Sequence, residues 1–256
     1  MNPAFDPVLL SRIEDAGLNA SAPPEQRWLD GWLVRLSPGK AKRARCINAV
    51  AQSKTSVADK LALCRELYRH ADLPMFVRVT PFSQPADLDA QLAARGMLKI
   101  DDTRVMVCAS LDLMTAPALP NNMSIHRVEA ASFSQTVGEF RGSPESQRTA
   151  QAKRLMESPV PYTAFVLQNA SGEALACGQI ATESEFVGLY DVHTANAHRS
   201  RGLAKMLCKH MLTSASELGA TVAYLQVESD NDAARHIYRG LGFSDAYAYH
   251  YRQAAP

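Results

Sequence analysis

Residues 187–243 read VGLYDVHTANAHRSRGLAKMLCKHMLTSASELGATVAYLQVESDNDAARHIYRGLGF. The run Val187–Thr194 has the composition of a strand. Arg199-Ser-Arg-Gly-Leu-Ala204 follows it. Leu203, Leu207, Met211 and Leu218 then recur on one stripe, which predicts a helix over Leu203–Leu218 that begins at the Arg-Gly segment. A second apolar run, Val222–Val227, predicts the next strand, and Asp232–Arg239 predicts another helix.

The first helix start has the makings of an anion site. A helix N-terminus carries unpaired backbone N–H groups and the positive end of the macrodipole. Gly202 lets backbone approach a ligand, Ala204 keeps the first turn open, and Arg199 and Arg201 add two cations. Such a cradle suits a diphosphate. Taken alone, the segment reads equally as a solvated loop with a helix-starting glycine. Neither a dinucleotide-binding G-x-G-x-x-G nor a P-loop is present. Asn231 and Tyr238 lie seven residues apart, about two turns along one helix face. Asn231 also reads as an N-cap. Tyr238, on the stripe Ala234, Ile237, Tyr238 and Leu241, also reads as a core residue. Leu241 and Phe243 read as packing, and Gly242 as a turn.

The combined order of strand, R-x-x-G-x-A helix, strand and N-x-x-A-x-x-x-Y-x-x-x-G-F resembles the GNAT superfamily of acyl-CoA-dependent N-acetyltransferases. Residues 187–243 carry the match, and residues 123–186 fit the strand–helix–helix–strand–strand opening of that fold. The resemblance implies an α+β fold whose central mixed, mostly antiparallel sheet is flanked by helices. It implies acetyl-CoA as co-substrate, no metal, and a primary amine of a small molecule or peptide as acceptor. Arg199, Ser200, Arg201, Gly202, Leu203 and Ala204 would hold the coenzyme A diphosphate through backbone amides. Val192 and Thr194 would pair with the pantetheine arm as an added strand does, and Asn231 would hydrogen-bond the same arm. Tyr238 would protonate the departing thiolate.

Acid–base needs add to this. An amine attacks a thioester only when neutral, and a lysine-like amine has a reference pKa of about 10.4. The leaving thiol, near 8.5, gains from a nearby donor, which a tyrosine can supply. The oxyanion needs a donor too, which a backbone N–H at the end of strand 188–194 can provide. The base is harder to read. Counting back from Arg199, the position of a glutamate in one subgroup of the family falls on Gly188. Asp191, His193, Glu185 and Glu228 are nearby candidates, and Glu228 and His193 rank together at their head. Alternation places Asp191 and His193 opposite Val192 and Thr194.

Outward from this core, Met123–Val128 reads as a strand, then Ala130–Phe140 and Glu145–Met156 as helices, the second capped by Ser143 with Pro144 in its first turn. Thr163–Gln168 and Ala174–Ala181 read as strands, as does Ala246–Arg252 at the end. Residues 115–122, rich in turn formers, read as a linker between domains at 1–114 and 123–256. The first half has strand-type runs at Trp28–Leu36 and Ala44–Val50 with a turn at Ser37-Pro-Gly-Lys40. A helix at Val57–Ala71, a strand at Met75–Val79, a helix at Ala86–Arg95 and a strand at Thr103–Leu111 follow. Both halves share the order helix, strand, helix, Arg-Gly-apolar, which predicts two copies of one fold. Where the first copy should hold a cradle, residues 52–60 lack glycine. Leu92 stands near the tyrosine position. The first half is therefore expected to be a degenerate copy that walls the substrate cleft. Its Asp30-Gly-Trp-Leu-x-Arg35 hairpin also resembles bacterial two-domain members of the superfamily. Lys40, Lys42, Arg43 and Arg45 read as a solvated turn, and Trp28 and Trp32 as core.

A net charge of +1 over 256 residues offers no electrostatic reason to expect nucleic acid or an anionic membrane as partner. No apolar run reaches the length of a membrane span, and no signal peptide is evident. Five scattered cysteines without a CxxC pair suggest neither zinc nor a disulfide framework, so a cytoplasmic setting is expected. A homodimer is compatible with the sequence but not readable from it. Two other functions fit the same motifs: a non-catalytic acyl-CoA-binding sensor or interaction module, and an acyltransferase for longer chains.

Overall fold

The computed structural model describes residues 1–39, 41–112 and 114–254, so Lys40 lies outside the described residues. The first half comprises α1 (Pro7–Ala20), β1 (Glu25–Leu29), β2 (Trp32–Leu36), β3 (Ile47–Ala49), α2 (Val57–His70), β4 (Phe76–Val79), α3 (Leu88–Ala93) and β5 (Leu98–Cys108). The second comprises β6 (Met123–Val128), α4 (Ala130–Arg141), α5 (Glu145–Met156), β7 (Tyr162–Asn169), β8 (Ala174–Glu183), β9 (Phe186–Thr194), α6 (Leu203–Glu217), β10 (Val222–Glu228), α7 (Asp232–Arg239) and β11 (Ser244–Gln253).

The eleven strands of the described residues form one sheet in the order β1-β2-β3-β4-β11-β5-β10-β9-β8-β7-β6. The pairs β3–β4 and β9–β10 are parallel, and the other neighbours are antiparallel. This is the mixed, mostly antiparallel sheet expected, and it holds two copies of one pattern. In each copy antiparallel strands lead to a parallel one, and the next strand inward comes from the other copy. Thus β5 lies against β10, β11 lies against β4, and β5 and β11 pair with each other at the centre.

The cores show which helices share a face. Leu207, Met211 and Leu212 of α6 pack on Leu189, Leu225 and Met106. Leu10 and Ile13 of α1 pack on Tyr190, Tyr224, Tyr247 and Phe76 on the opposite face. Phe133 and Val137 of α4 cover Ala164 and Val166, whereas Phe165 and Leu167 turn toward α6. Phe76 turns toward α1, whereas Val77 and Val79 pack with Leu61 and Cys64 of α2. So α1, α4 and α5 cover one face, and α2, α3, α6 and α7 the other.

Several local readings are corrected. Helix α1 was not anticipated, although Asp6 caps it and Pro7 occupies its first turn. The apolar run at 28–36 is broken by a tight turn at Asp30-Gly31, with φ of 40° and 79°. A Cβ on Gly31 would sit 2.5 Å from the Ala51 carbonyl oxygen, so only glycine fits. The Asp30 carboxylate accepts from the N–H groups of Lys54 and Thr55 at 2.9 and 2.6 Å, tying the hairpin to the loop before α2. Strand β3 is only Ile47–Ala49, because Lys42–Ala44 forms a 3-10 turn. Pro144, not Ser143, holds the N-cap position of α5 and makes no side-chain cap. Trp32 is fully buried, but Trp28 on the edge strand is 69% exposed, as is Leu218 past the end of α6.

Candidate active site

Strands β9 and β10 pair from Phe186↔Val222 to Leu189↔Leu225, and no pair continues beyond. Past that point they diverge into a fork with Tyr190–Thr194 on one arm and Gln226–Glu228 on the other. The β9 arm carries a bulge. Gln179 faces Tyr190 and Cys177 faces His193, leaving Asp191 and Val192 opposite Gly178 alone. Asp191 has a φ of 51°. Two consecutive side chains, Tyr190 and Asp191, consequently share the face of α1, α4 and α5.

Val192 keeps to the other face beside α6. A Cβ on Gly178 would approach Met211 Cε at 2.9 Å and Val192 Cγ2 at 3.4 Å. Thr194 closes β9 opposite Ala176. The fork is followed by the segment predicted as a cradle. Ser200 and Gly202 both adopt the left-handed region, at φ of 61° and 75°, around Arg201. Gly202 is the N-cap of α6 and offers no side chain to cap it. The first backbone bond into the helix is Met206 N–H to Gly202 O at 3.0 Å. Among the described residues, the N–H groups of Leu203, Ala204 and Lys205 meet no acceptor, which leaves a row of free donors. Open space lies around Gly202, so its backbone angle, not crowding, calls for glycine. The exposed Arg199 and Arg201 flank the row. Arg201 donates to His198 Nδ1 at 2.9 Å, and His198 Nε2 donates to Glu173 at 2.9 Å.

Asn231 does cap α7, accepting from the Ala234 N–H at 3.1 Å. Tyr238, on α7, is half-buried and packs edge-on against Phe243, with ring centroids 6.0 Å apart. Its hydroxyl has no hydrogen-bond partner among the described residues. Burial pushes its pKa well above the usual tyrosine value, and the neighbouring Cys208 adds to this, so the proton stays on oxygen.

The base candidates separate clearly. The Asp191 carboxylate accepts from Arg141 at 2.8 Å, Gln151 at 3.1 Å and Gln179 at 2.7 Å. Burial opposes its charge, yet Arg141 above all holds its pKa below the ordinary value. His193 Nε2 accepts from Arg141 Nε at 2.8 Å. Burial and the Arg141 charge lower its pKa to about 4, so the ring is neutral near pH 7 with one nitrogen already engaged. Glu185 lies in the turn just before β9, away from the fork, paired with Arg12 at 2.5 Å. Glu228 ends β10 opposite Thr103 of β5, is exposed, and has no side-chain hydrogen bond among the described residues. It lines a cleft of about 250 Å³ with Gln226 and Tyr249 and, from the first half, Lys42, Arg43 and Thr103.

Gly188 is filled in from the side. A Cβ there would meet Tyr190 Cε2 at 2.5 Å and Tyr224 Cζ at 2.7 Å. The two hydroxyls are bonded to each other at 3.0 Å. Sequence reasoning missed this tyrosine pair, the Arg141–Gln151–Gln179 set around Asp191, and Arg43 on the cleft. Arg141 sits at the end of a helix and Arg43 in a turn, and neither place carries a motif. Among the described residues, no group of three or more His, Cys, Asp or Glu side chains is placed to hold a metal ion. None of their helices is long and apolar enough to cross a membrane.

A family model described as "Probable histone acetyltransferase Rv0428c C-terminal" matches residues 10–252. The chain is similar to the uncharacterized N-acetyltransferase YobR of Bacillus subtilis (strain 168), 28% identical over 232 residues, spanning 89% of this chain and 91% of that protein. A streptothricin acetyltransferase from Streptomyces lavendulae is 30% identical over 82 residues, 31% of this chain and 43% of that one. Among solved structures, a GCN5-related N-acetyltransferase from Kribbella flavida superposes with a TM-score of 0.73 at 18% identity, covering 96% of both chains. A tandem GNAT protein from the clavulanic acid biosynthesis pathway has a TM-score of 0.63 at 17% identity, covering 82% of this chain and 76% of that one. These two likenesses speak to the fold.

Proposed function

The chain belongs to the GNAT acetyltransferases, in the family of the Rv0428c C-terminal region, and from that premise we propose that it transfers an acetyl group from acetyl-CoA to a primary amine by direct attack in a ternary complex. One observation carries the donor assignment: the row of free N–H groups behind Ser200 and Gly202, set directly after the β9–β10 fork. Leu203, Ala204 and the residues before them take the diphosphate, with Arg199 and Arg201 beside it. Val192 and Thr194 offer unpaired backbone on their β10 side to the pantetheine arm. The Asn231 amide is left with its Nδ2 donor for the same arm, since Oδ1 is spent on the cap.

Tyr238 is the acid. Its protonated, unpartnered hydroxyl stands ready to donate to the departing thiolate. Glu228 is the base we favour, because it alone among the candidates keeps a free carboxylate on a cleft. His193 and Asp191 instead hold Arg141 beside the bulge, and a backbone N–H at the end of β9 serves the developing oxyanion. Residues 123–256 supply the donor side, and residues 1–114 wall the acceptor side through Lys42 and Arg43.

The test is release of free thiol from acetyl-CoA across a panel of amines. Amine-dependent release supports the reading. Coenzyme binding without release for any amine would instead make the protein an acyl-CoA sensor.

A further inference from the structure

Arg43 is poorly partnered beside the arginines buried near it. Arg78 is ion-paired with Glu14. Arg35 donates to Gln26, Ser21 and the carbonyls of Leu18 and Arg43, at 2.8 to 3.4 Å. Arg43 has five N–H donors but one protein acceptor among the described residues, the Gln226 side-chain oxygen. That oxygen is shared, because Tyr249 also donates to it at 2.8 Å. No carboxylate lies within ion-pair distance of Arg43 among the described residues. Of the two carboxylates on its cleft, Asp101 is taken by Lys42, and Glu228 makes no ion pair with Arg43 among the described residues. The guanidinium rests over the Tyr190 ring, 5.7 Å from its centroid. It faces the same cleft as Glu228.

A half-buried cation without an anion is costly, and the fork of a guanidinium matches a carboxylate. Gln226 fixes its orientation from one side and Tyr190 supports its flat face, so little freedom remains to be lost when an anion arrives. Resting on the acetyltransferase reading, we propose that the acceptor is a primary amine that carries a carboxylate: Arg43 grips the carboxylate, and the amine lies toward Glu228. The first half of the chain thereby selects the acceptor while the second half holds the donor.

Matched pairs of α-amino acids and their α-amides, assayed with acetyl-CoA by thiol release, test this in the full chain. At least one acid is expected to exceed its amide in kcat/KM by about tenfold to a hundredfold, the span of a charge-assisted pair, mainly through KM. In Arg43→Gln the acid and amide should react alike, and Arg43→Lys should fall between. Coenzyme titration checks that both variants fold. Amides that match their acids in the wild type, or a preference that survives in both variants, overturn the proposal. If no amine releases thiol, the acetyltransferase reading fails separately. The cleft is then judged by titrating N-acetyl-amino acids and their amides in the presence of coenzyme A. Acid-selective binding lost in Arg43→Gln supports the carboxylate site, and absence of such binding overturns it.

Discussion

The Arg141 guanidinium and the His193 ring are joined by a hydrogen bond of 2.8 Å from Nε to Nε2, so this histidine is a structural acceptor at the mouth of the fork. Its pKa, lowered to about 4 by burial and by Arg141, lies below the ordinary histidine value near 6.5. Between these two values the unfolded chain binds more protons than the native one, so stability falls as pH drops from about 6.5 to 4. Denaturant titrations of His193→Gln should show a shallower loss across that window than the wild type. Turnover of this variant should stay within about tenfold of the wild type, short of the ~10²-fold or more that removing a general base costs. A loss of that larger size would restore His193 as the base.

Tyr238→Phe removes the hydroxyl and keeps the ring that packs on Phe243. Turnover should fall by ~10²-fold or more, the scale of general acid catalysis, with coenzyme affinity by calorimetry nearly unchanged. Equal losses in both would assign Tyr238 to binding.

Gly188→Ala should destabilise the fold by about 1–3 kcal/mol, as an overpacked core does, measured by chemical denaturation. The added carbon collides with Tyr190 and Tyr224, both buried. Pairing it with Tyr190→Ala should make the two losses less than additive, because the second change opens the space. A simple sum would mean that the strain lies elsewhere.

Glu14 and Arg78 form a buried pair beneath α1, and Tyr247 donates to Glu14 at 2.7 Å. Burial raises the Glu14 pKa, but Arg78 and Tyr247 together hold it below the usual carboxylate value. Its contribution to stability is therefore present above the unfolded pKa and lost as pH falls through the native one. Arg78→Met should cost about 3–5 kcal/mol near pH 7, since it strands a buried carboxylate. The deficit should narrow toward pH 4 as Glu14 takes up a proton. A deficit independent of pH would locate the damage in packing instead.

The stretch 187–243 was legible because its strands and helices each carry one clean period, and its caps and turns use distinctive residues. Observed bounds differ there by a residue or so. Helix α1 also had its signals, Asp6 and Pro7, but its apolar residues compete with the small residues Ala16, Gly17 and Ala20. The Asp30-Gly31 turn was hidden inside an apolar run whose second half is buried on both faces. Alternation in β9 correctly separated Val192 from His193, yet it has no means of showing a bulge, which depends on the partner strand. The neighbours of β5 and β11 were unreadable for a deeper reason. A period reports which face of a strand is buried, not which strand lies alongside it.

That exchange of strands bears on how the protein comes into being during synthesis. β4 waits for β11, and β5 waits for β10 and β11, so the first half emerges from the ribosome with an open sheet edge. At ordinary translation speeds the roughly 145 residues between the ends of β5 and β11 take on the order of ten seconds to appear. Throughout that interval the nascent first half offers unpaired backbone to any passing strand, including that of another copy. Chain termination anywhere before residue 244 leaves this edge open for good. The last ten residues of the sheet are thus what fills the gap between β4 and β5 and leaves the outer edges at β1 and β6.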